Sequence, residues 1–208
     1  GVSTSKRDII IENVPPTLSA NIPIKQYEGS KVNIIAEVEN DPGTADSHTF
    51  MFNYGDGTIS KESSHIYQDN DEYEIEIILS DDDGGSDTLK QNISIINLPP
   101  NILGELPAKS NEGQNLNFQI TVEDPGNLDT HTYFWDYGDG SYDSTLLAQH
   151  IYQDNGEYKL IVKVIDDDGG VDSLEHLVNV LNLPPILSAS YTSSSRVQIP
   201  QDQGGSEE

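Results

Sequence analysis

The chain has 208 residues, of which 34% are hydrophobic, so its apolar side chains suffice for two small cores rather than one large core. Its 36 Asp and Glu residues against 10 Lys and Arg residues give a net charge of −26, which excludes nucleic acid as a partner and disfavours anionic membrane surfaces. Cysteine is absent and no apolar run reaches the ~18 residues of a membrane helix, so neither disulfides, thiolate metal sites nor membrane insertion is predicted.

The first predicted element is the apolar segment 8–13, Asp-Ile-Ile-Ile-Glu-Asn. It is similar to segments 92–97 and 178–182, which have the alternation of a β-strand and lie just before a Pro-Pro pair. We therefore predict that residues 1–13 form the last strand of a preceding repeat or an N-terminal extension.

An Asn-x-Pro-Pro motif divides the rest of the chain into repeats. It begins at Asn13, Asn97 and Asn182, at separations of 84 and 85 residues. A fixed period with shared landmarks is typical of tandem domains, and we expect the parent protein to contain a longer array. We predict a first domain, a second domain and a C-terminal segment that is a linker, the start of a further repeat or a disordered tail, at residues 14–97, 98–182 and 183–208.

Within each predicted domain the same motifs return in the same order. The pairs are Glu28-Gly29 and Glu112-Gly113, Asp41-Pro-Gly and Asp124-Pro-Gly, Phe52-Asn-Tyr-Gly-Asp-Gly and Trp135-Asp-Tyr-Gly-Asp-Gly, His65-Ile-Tyr-Gln-Asp-Asn and His150-Ile-Tyr-Gln-Asp-Asn, and Asp81-Asp-Asp-Gly-Gly and Asp166-Asp-Asp-Gly-Gly. This density of matches excludes chance, so both domains are expected to share one fold.

Between these motifs, apolar and polar residues alternate with the period of two that is typical of half-buried β-strands. The predicted inward faces are Val32, Ile34, Ala36 and Val38; Phe50, Phe52 and Tyr54; Tyr73, Ile75, Ile77 and Leu79; Leu116, Phe118, Ile120 and Val122; Tyr133, Trp135 and Tyr137; Tyr158, Leu160, Val162 and Val164; and Leu174, Val178 and Val180. Turn residues separate the strands at intervals of roughly 8–12 residues, as in a β-sandwich. The predicted fold class is all-β, with two immunoglobulin-like sandwiches arranged end to end.

The motif combination of the second domain resembles the polycystic kidney disease (PKD) domain family. It consists of Trp135-Asp-Tyr-Gly-Asp-Gly140, His150-Ile-Tyr152, Gly156-Glu-Tyr158 and Val164-Ile-Asp-Asp-Asp-Gly-Gly170. The first domain departs from this pattern with Phe52 for Trp, Asn53 for Asp and Asp71 for Gly. The resemblance covers about residues 13–182. It implies an immunoglobulin-like module of extracellular arrays or secreted hydrolases, without catalytic activity of its own.

Two acidic loops in each domain are candidates for cation binding. They lie at 41–46 and 81–83 in the first domain and at 124–129 and 166–168 in the second. In an immunoglobulin-like sandwich both loops lie at the end where the linker arrives, and two carboxylates about 4 Å apart repel by roughly 4 kcal/mol at an effective dielectric near 20. A hard cation relieves this repulsion, and Ca²⁺ fits because it takes ~6–8 oxygen ligands in flexible geometry.

The PKD resemblance implies which residues would hold the calcium ion. Some calcium-binding PKD domains use the linker Asn, two acids before the strand that carries the Trp, and an Asp after the penultimate strand. Carried over to this sequence, the ligands are Asn13, Asp41, Asp46, Asp81 and Asp83 in the first domain and Asn97, Asp124, Asp129, Asp166 and Asp168 in the second, with Asn40 and Glu123 as alternates. The competing explanation is turn formation, which Asp and Gly favour without any metal.

The remaining polar and aromatic residues favour structure over chemistry. Four histidines recur as pairs within motifs, which predicts structural hydrogen bonds: His48, His65, His131 and His150. The inward phase of Trp135 predicts core packing rather than a sugar-binding platform. No nucleophile motif or spaced triad is present, so no enzyme is predicted.

Three functions remain open. The predicted one is a non-catalytic, calcium-stabilised spacer or adhesion repeat of a larger surface or secreted protein, in contact with neighbouring repeats of the same chain and with extracellular protein or polysaccharide. The second is an accessory module that helps a secreted protease or polysaccharide hydrolase to engage its substrate. The third is a structural domain whose acids are merely solvated, as in salt-adapted proteins. The predicted location is extracellular, at the cell surface.

Overall fold

A computed structural model describes residues 8–43 and 45–186 of the chain, which form 18 β-strands and no helix. Because these ranges contain no helix, they also contain none long and apolar enough to cross a membrane. The strands form two successive sets of nine, and each set builds one sandwich. The predicted all-β class with two immunoglobulin-like sandwiches is confirmed.

The first repeat is a sandwich of a five-stranded layer and a layer of two strand pairs. Its strands are β1 (Thr17–Asn21), β2 (Lys25–Tyr27), β3 (Lys31–Asn33), β4 (Ile35–Asn40), β5 (Thr49–Asn53), β6 (Ile59–Ser60), β7 (Ser64–Ile66), β8 (Asp71–Ser80) and β9 (Ser86–Ile96). The five-stranded sheet has the order β2-β9-β8-β5-β6, and the opposite layer consists of the pairs β1-β4 and β3-β7. Only β2 and β9 run parallel, while all the other neighbours of this repeat are antiparallel.

The second repeat has the same topology. Its strands are β10 (Asn101–Leu103), β11 (Lys109–Asn111), β12 (Asn115–Gln119), β13 (Thr121–Glu123), β14 (His131–Asp136), β15 (Tyr142–Asp143), β16 (Leu147–Ile151), β17 (Gly156–Asp166) and β18 (Val171–Leu181). The five-stranded order is β11-β18-β17-β14-β15, opposite the pairs β10-β13 and β12-β16. Matched topology places each motif of one repeat at the same point of the fold in the other.

Each repeat has its own hydrophobic core between its two layers. The fully buried aromatic side chains are Phe52, Tyr54 and Tyr67 in the first repeat and Phe118, Trp135, Tyr137 and Tyr152 in the second. Trp135 is 0% exposed and its Nε1 donates to the backbone oxygen of Thr145 at 2.9 Å, so the predicted core packing of this residue is confirmed. Eight residues predicted to point inward are half-buried at the margin of the cores: Ala36, Val38, Phe50, Tyr73, Val122, Tyr133, Tyr158 and Leu174.

In each repeat one predicted strand is divided in the structure, segment 32–38 in the first repeat and segment 116–122 in the second. The alternating segment 32–38 forms β3 and β4, with Ile34 between them. Strand β3 pairs with β7, whereas β4 pairs with β1, so the chain changes its hydrogen-bonding partner at this residue. Ile34 is 4% exposed, and its amide donates to the backbone oxygen of Ser63 at 2.8 Å. The inward period of two therefore continues through the change of partner, which is why the sequence pattern shows no interruption.

The first segment, predicted as the last strand of a preceding repeat or an N-terminal extension, is described only from residue 8. Residues 8–16 contain no strand, and Ile9, Ile10 and Ile11 are 87%, 83% and 91% exposed. The final strands β9 and β18 are each held by an antiparallel neighbour and a parallel one, and segment 8–13 has neither within the described residues. At the other end, residues 183–186 form no strand. Residues 1–7 and 187–208 of the two terminal predictions lie outside the described ranges.

Candidate metal centres

At the linker end of the first repeat, Asn13 is joined to the loop between β8 and β9. Its Nδ2 donates to Asp81 Oδ2 at 2.8 Å, while Asp81 Oδ1 accepts from the amides of Asp83 and Gly85 at 3.1 and 2.6 Å. The hydrogen bond from Asn13 lowers the pKa of Asp81 and keeps this carboxylate ionised. Because Nδ2 is the donor, the amide oxygen of Asn13 is the atom that can bind a cation.

The loop between β4 and β5 brings two more acids to the same end. Asp41 Oδ1 accepts from the amide of Gly43 at 2.9 Å, and Asp41 Oδ2 lies 2.6 Å from His48 Nε2. One carboxylate oxygen each from Asp41, Asp46 and Asp81 lies within 4.8 Å of the others, a group that we call the first-repeat triad. Burial, followed by the charge of Asp41, raises the pKa of Asp46. The triad is thus a set of crowded oxygens at the end where the linker arrives.

The second repeat reproduces these hydrogen bonds. Asn97 Nδ2 donates to Asp166 Oδ2 at 3.1 Å, and Asp166 Oδ1 accepts from the amides of Asp168 and Gly170 at 3.1 and 2.6 Å. In the other loop, Asp124 Oδ1 accepts from the amide of Gly126 at 3.1 Å, and its Oδ2 lies 2.8 Å from the ring of His131. The sequence repeat is therefore also a repeat of side-chain geometry.

Two carboxylates of the first repeat lie close to the acids of the second repeat. Glu28 lies in the turn between β2 and β3, and Asp69 lies in the loop between β7 and β8. Ligand oxygens of Glu28, Asp124 and Asp129 lie within 4.8 Å of one another, and so do those of Asp69, Asp129 and Asp168. We call these five carboxylates the junction cluster. Asp129 belongs to both groups and connects them.

Four oxygens at this junction are buried and accept no hydrogen bond from the described residues: Glu28 Oε2, Asn97 Oδ1 and both carboxylate oxygens of Asp129. Burial, and after it the charges of Glu28 and Asp124, raise the pKa of Asp129 to about 7. Burial also raises the pKa of Glu28, whose side chain is 0% exposed. An unpaired buried carboxylate is costly, and this all-oxygen donor set fits Ca²⁺ rather than zinc or copper, which favour nitrogen and sulfur ligands.

Turn formation explains part of the acidic pattern but not all of it. Asp41 and Asp124 each accept the amide two residues on, as do Asp81 and Asp166, which is ordinary turn chemistry. Asp129 accepts no such bond. A Cβ at Gly126 would lie 2.5 Å from Asp129 Oδ2, so glycine is required there to let this carboxylate fold back over the loop.

The structure therefore brings together most of the predicted ligands. Asp41, Asp46 and Asp81 meet in the first-repeat triad, and Asp124, Asp129 and Asp168 meet in the junction cluster. The remaining predicted acids, Asp83, Asp166 and the alternate Glu123, lie outside these groups. Asp83 is exposed and lines the cavity beside Asn13 and Asp46, Asp166 holds Asn97, and the alternates Asn40 and Glu123 are exposed at the ends of β4 and β13.

Two residues of the junction cluster were missed from the sequence, Glu28 and Asp69. The available signal was their recurrence, because Glu28-Gly29 returns as Glu112-Gly113, and Tyr67-Gln-Asp69 returns as Tyr152-Gln-Asp154. Glu28 has no acidic neighbour in the sequence, and Asp69 precedes the acidic start of β8, so neither differs in composition from a solvated turn.

The repeat histidines make structural hydrogen bonds, as predicted. His48 and His131 contact Asp41 and Asp124 within the two candidate centres. At the Gly-Asp-Gly turns, His65 Nε2 lies 2.5 Å from Asp56, and His150 Nε2 lies 2.7 Å from Asp139. Each histidine fixes one carboxylate oxygen, and those of the first pair help to position candidate ligands.

Comparison with known proteins identifies similar domains. The sequence model of the PKD domain family matches residues 13–95 and 97–180. The chain is 29% identical over 73 residues to Collagenase ColA of Clostridium perfringens (strain 13 / Type A), a match that covers 35% of this chain and 7% of that protein. The chain therefore spans only a small part of the length of this curated relative.

Solved structures of low sequence identity also match. The PKD1 domain of Vibrio anguillarum Epp is 24% identical, with a TM-score of 0.37, over 43% of this chain and 100% of that one. The extracellular cadherin domains 1–5 of Protocadherin Gamma B2 are 13% identical, with a TM-score of 0.29, over 83% of this chain and 37% of that one.

Proposed function

The chain belongs to the PKD domain family, and we propose that its two repeats are calcium-stabilised, non-catalytic spacer or adhesion units of a larger extracellular protein. The observation that supports this function is the convergence of acidic side chains at the linker end of each repeat. In the first repeat these are Asp41, Asp46 and Asp81, and in the second they include Asp124 and Asp129.

A calcium ion at the linker end would connect three separate segments of each repeat. In the first repeat Asn13 belongs to the linker, Asp41 and Asp46 to one loop, and Asp81 to another. The bound ion supplies positive charge, while these side chains hold the linker against the two loops. A domain of this size buries only about 60–65% of its unfolded surface, so such a cross-link adds substantially to a small margin of stability.

Calcium is expected to raise the free energy of unfolding by about 2.7 kcal/mol at a hundredfold excess over its dissociation constant. For domains of this length, that corresponds to an increase of roughly 10 °C or more in the melting temperature. The measurement is calorimetric unfolding of the full chain in calcium and in EDTA.

Magnesium at equal concentration and matched ionic strength is the control, because a net charge of −26 responds to any salt. Equal melting temperatures in calcium, magnesium and EDTA would favour the alternative of solvated acids without a metal.

A second candidate function, as an accessory module of a secreted hydrolase, is favoured by one surface feature. Phe134 and Tyr142 are 44% and 61% exposed on the outer face of the second five-stranded sheet, and their rings stack at a centroid distance of 5.5 Å. The corresponding residues of the first repeat are Met51 and Ile59. The similarity to a collagenase is in keeping with such a role, in which the aromatic pair would contact an insoluble substrate.

On this second proposal, the double variant Phe134→Ala and Tyr142→Ala should bind its insoluble substrate about tenfold more weakly, because stacking and apolar contact are lost. The measurement is retention on collagen, chitin and cellulose. The matched control is the double variant Met51→Ala and Ile59→Ala at the same positions of the first repeat. Equal retention of both double variants, or no retention of the native chain, would leave the spacer function as the better proposal.

A further inference from the structure

We propose that the calcium site of the second repeat is completed by two carboxylates of the first repeat, Glu28 and Asp69. This inference rests on the proposed calcium function and deepens it, because an ion bound there joins two domains as well as stabilising one. The site would be formed by the junction cluster with the amide oxygen of Asn97, and it would be complete only while the repeats are docked.

Glu28 is held rigidly at the end of the first repeat. Its amide donates to the backbone oxygen of Ile96 at 3.2 Å, and the amide of Gly29 donates to that of Tyr67 at 2.9 Å. Its Oε1 accepts from the amide of Leu98, in the linker, at 2.6 Å. The other oxygen, Oε2, is buried and accepts no hydrogen bond from the described residues. Holding the linker accounts for one oxygen of Glu28, and this buried carboxylate also offers a ligand oxygen within 4.8 Å of those of Asp124 and Asp129.

Asp69 is brought to the second repeat by contacts between two loops. The hydroxyl of Tyr73 donates to the backbone oxygen of Asp69 at 3.1 Å, which fixes the loop of the first repeat. Next to it, Gln68 accepts from Asn127 Nδ2 at 2.6 Å and from the amide of Leu128 at 3.3 Å. These bonds place Asp69 beside Asp129 and Asp168 without any direct bond between the carboxylates.

The far end of the second repeat offers a natural comparison. Glu112 is the counterpart of Glu28, and its Oε1 accepts from the amide of Leu183 at 2.8 Å, just as Glu28 accepts from Leu98. Glu112 is only half-buried, and Asp154, the counterpart of Asp69, is exposed. Within the described residues, neither belongs to a group of convergent acids. The local role of this glutamate is thus the same in both repeats, and among the described residues the acids of a following domain are found at the junction alone.

The test is calorimetric titration of calcium into the full chain with Glu28→Gln and its matched control Glu112→Gln. Glutamine keeps the oxygen that accepts the linker amide and removes the charge, so both variants preserve the local fold. We expect Glu28→Gln to weaken at least one calcium site about tenfold or more, because calcium affinity depends on the number of charged ligands. Glu112→Gln should bind calcium as the native chain does. Asp69→Asn and its control Asp154→Asn form a second, independent pair.

The distance between the two repeats can be measured independently of calcium affinity. The chain has no cysteine, so Lys61→Cys and Ser144→Cys, both at exposed positions, place one spin label on each repeat. Calcium is expected to narrow the distribution of distances between the labels in the native background and with Glu112→Gln. With Glu28→Gln the distribution should stay as broad as in EDTA.

The outcomes separate the two proposals. If Glu28→Gln and Asp69→Asn bind calcium with native affinity and stoichiometry and still give narrowed distances, the shared site is wrong, while calcium binding by individual repeats stands. If the native chain binds no calcium, the proposed calcium function fails, and the shared site fails with it.

Discussion

Replacing Asp129 with asparagine is expected to stabilise the metal-free protein and to destabilise the calcium-loaded protein. Without a metal, burial and the neighbouring charges of Glu28 and Asp124 raise the pKa of Asp129 to about 7 from its ordinary 3.8. A raised carboxyl pKa means that the folded protein loses stability as the pH rises towards that value. At pH 8 the loss is roughly 2–4 kcal/mol, which Asp129→Asn should largely remove. With calcium bound, the same variant loses a charged ligand and should forfeit about 2–3 kcal/mol of stabilisation.

The measurement is urea unfolding of the native chain and of the Asp129→Asn variant, in EDTA and in calcium, at pH 5 and at pH 8. In EDTA the native chain should be more stable at pH 5 than at pH 8, and calcium should reverse this order because it binds the ionised carboxylate. The matched control is Asp46→Asn in the first repeat. The Asp46 oxygens are not among the buried unpaired atoms, so its effect in EDTA should be smaller. An Asp129→Asn effect of the same sign in both media would contradict a cation site at this residue.

Substituting Gly29 with alanine is the other change expected to have a large effect. A Cβ at Gly29 would lie 2.7 Å from the backbone oxygen of Pro125 and 2.8 Å from its Cβ, so the methyl group would collide with the second repeat. Gly29 also has a φ of 65°, which costs about 1 kcal/mol for alanine. The collision adds roughly 1–3 kcal/mol, or the repeats separate to avoid it and the junction cluster is disrupted.

Gly113→Ala is the control that measures the cost of a positive φ for alanine without any collision. Gly113 has a φ of 72°, and a Cβ there meets nothing within 4 Å. Gly113→Ala should lose about 1 kcal/mol of folding stability, and Gly29→Ala should lose the same amount in addition to the effect of its collision. Only Gly29→Ala should also weaken calcium binding at the junction and broaden the distances between labelled repeats. Identical behaviour of the two alanine variants would mean that the contact between Gly29 and Pro125 does not persist in solution.

On the proposed shared site, calcium would stiffen the junction between the two repeats. The linker amide of Leu98, the glutamate that holds it and the acids of the next repeat meet at one place. An ion there would oppose both the electrostatic repulsion and the bending of the linker. A chain with a net charge of −26 gains more from such an ion than a neutral one, since its repeats otherwise repel each other.

Several features of this protein follow from the sequence by itself. The spacing of Asn13, Asn97 and Asn182 indicates the tandem repeats, and the period of two in each apolar segment indicates the sandwich. These features are local or periodic, so they can be read without coordinates. The convergence of Asp41, Asp46 and Asp81 also follows, because the topology of a sandwich places their two loops at one end.

The strand partners, the exposure of segment 8–13 and the membership of the junction cluster are determined only by the tertiary structure. The change of strand partner at Ile34 depends on which strands lie alongside, and the exposure of segment 8–13 depends on the lack of neighbouring strands among the described residues. The assignment of Glu28 and Asp69 to the junction cluster depends on contacts with residues about 60 or more positions later in the chain. In the sequence, Glu28 and Asp69 cannot be told apart from acids that are merely solvated. What distinguishes them is their proximity to the acids of the second repeat, which is a property of how two domains pack and which no local pattern encodes.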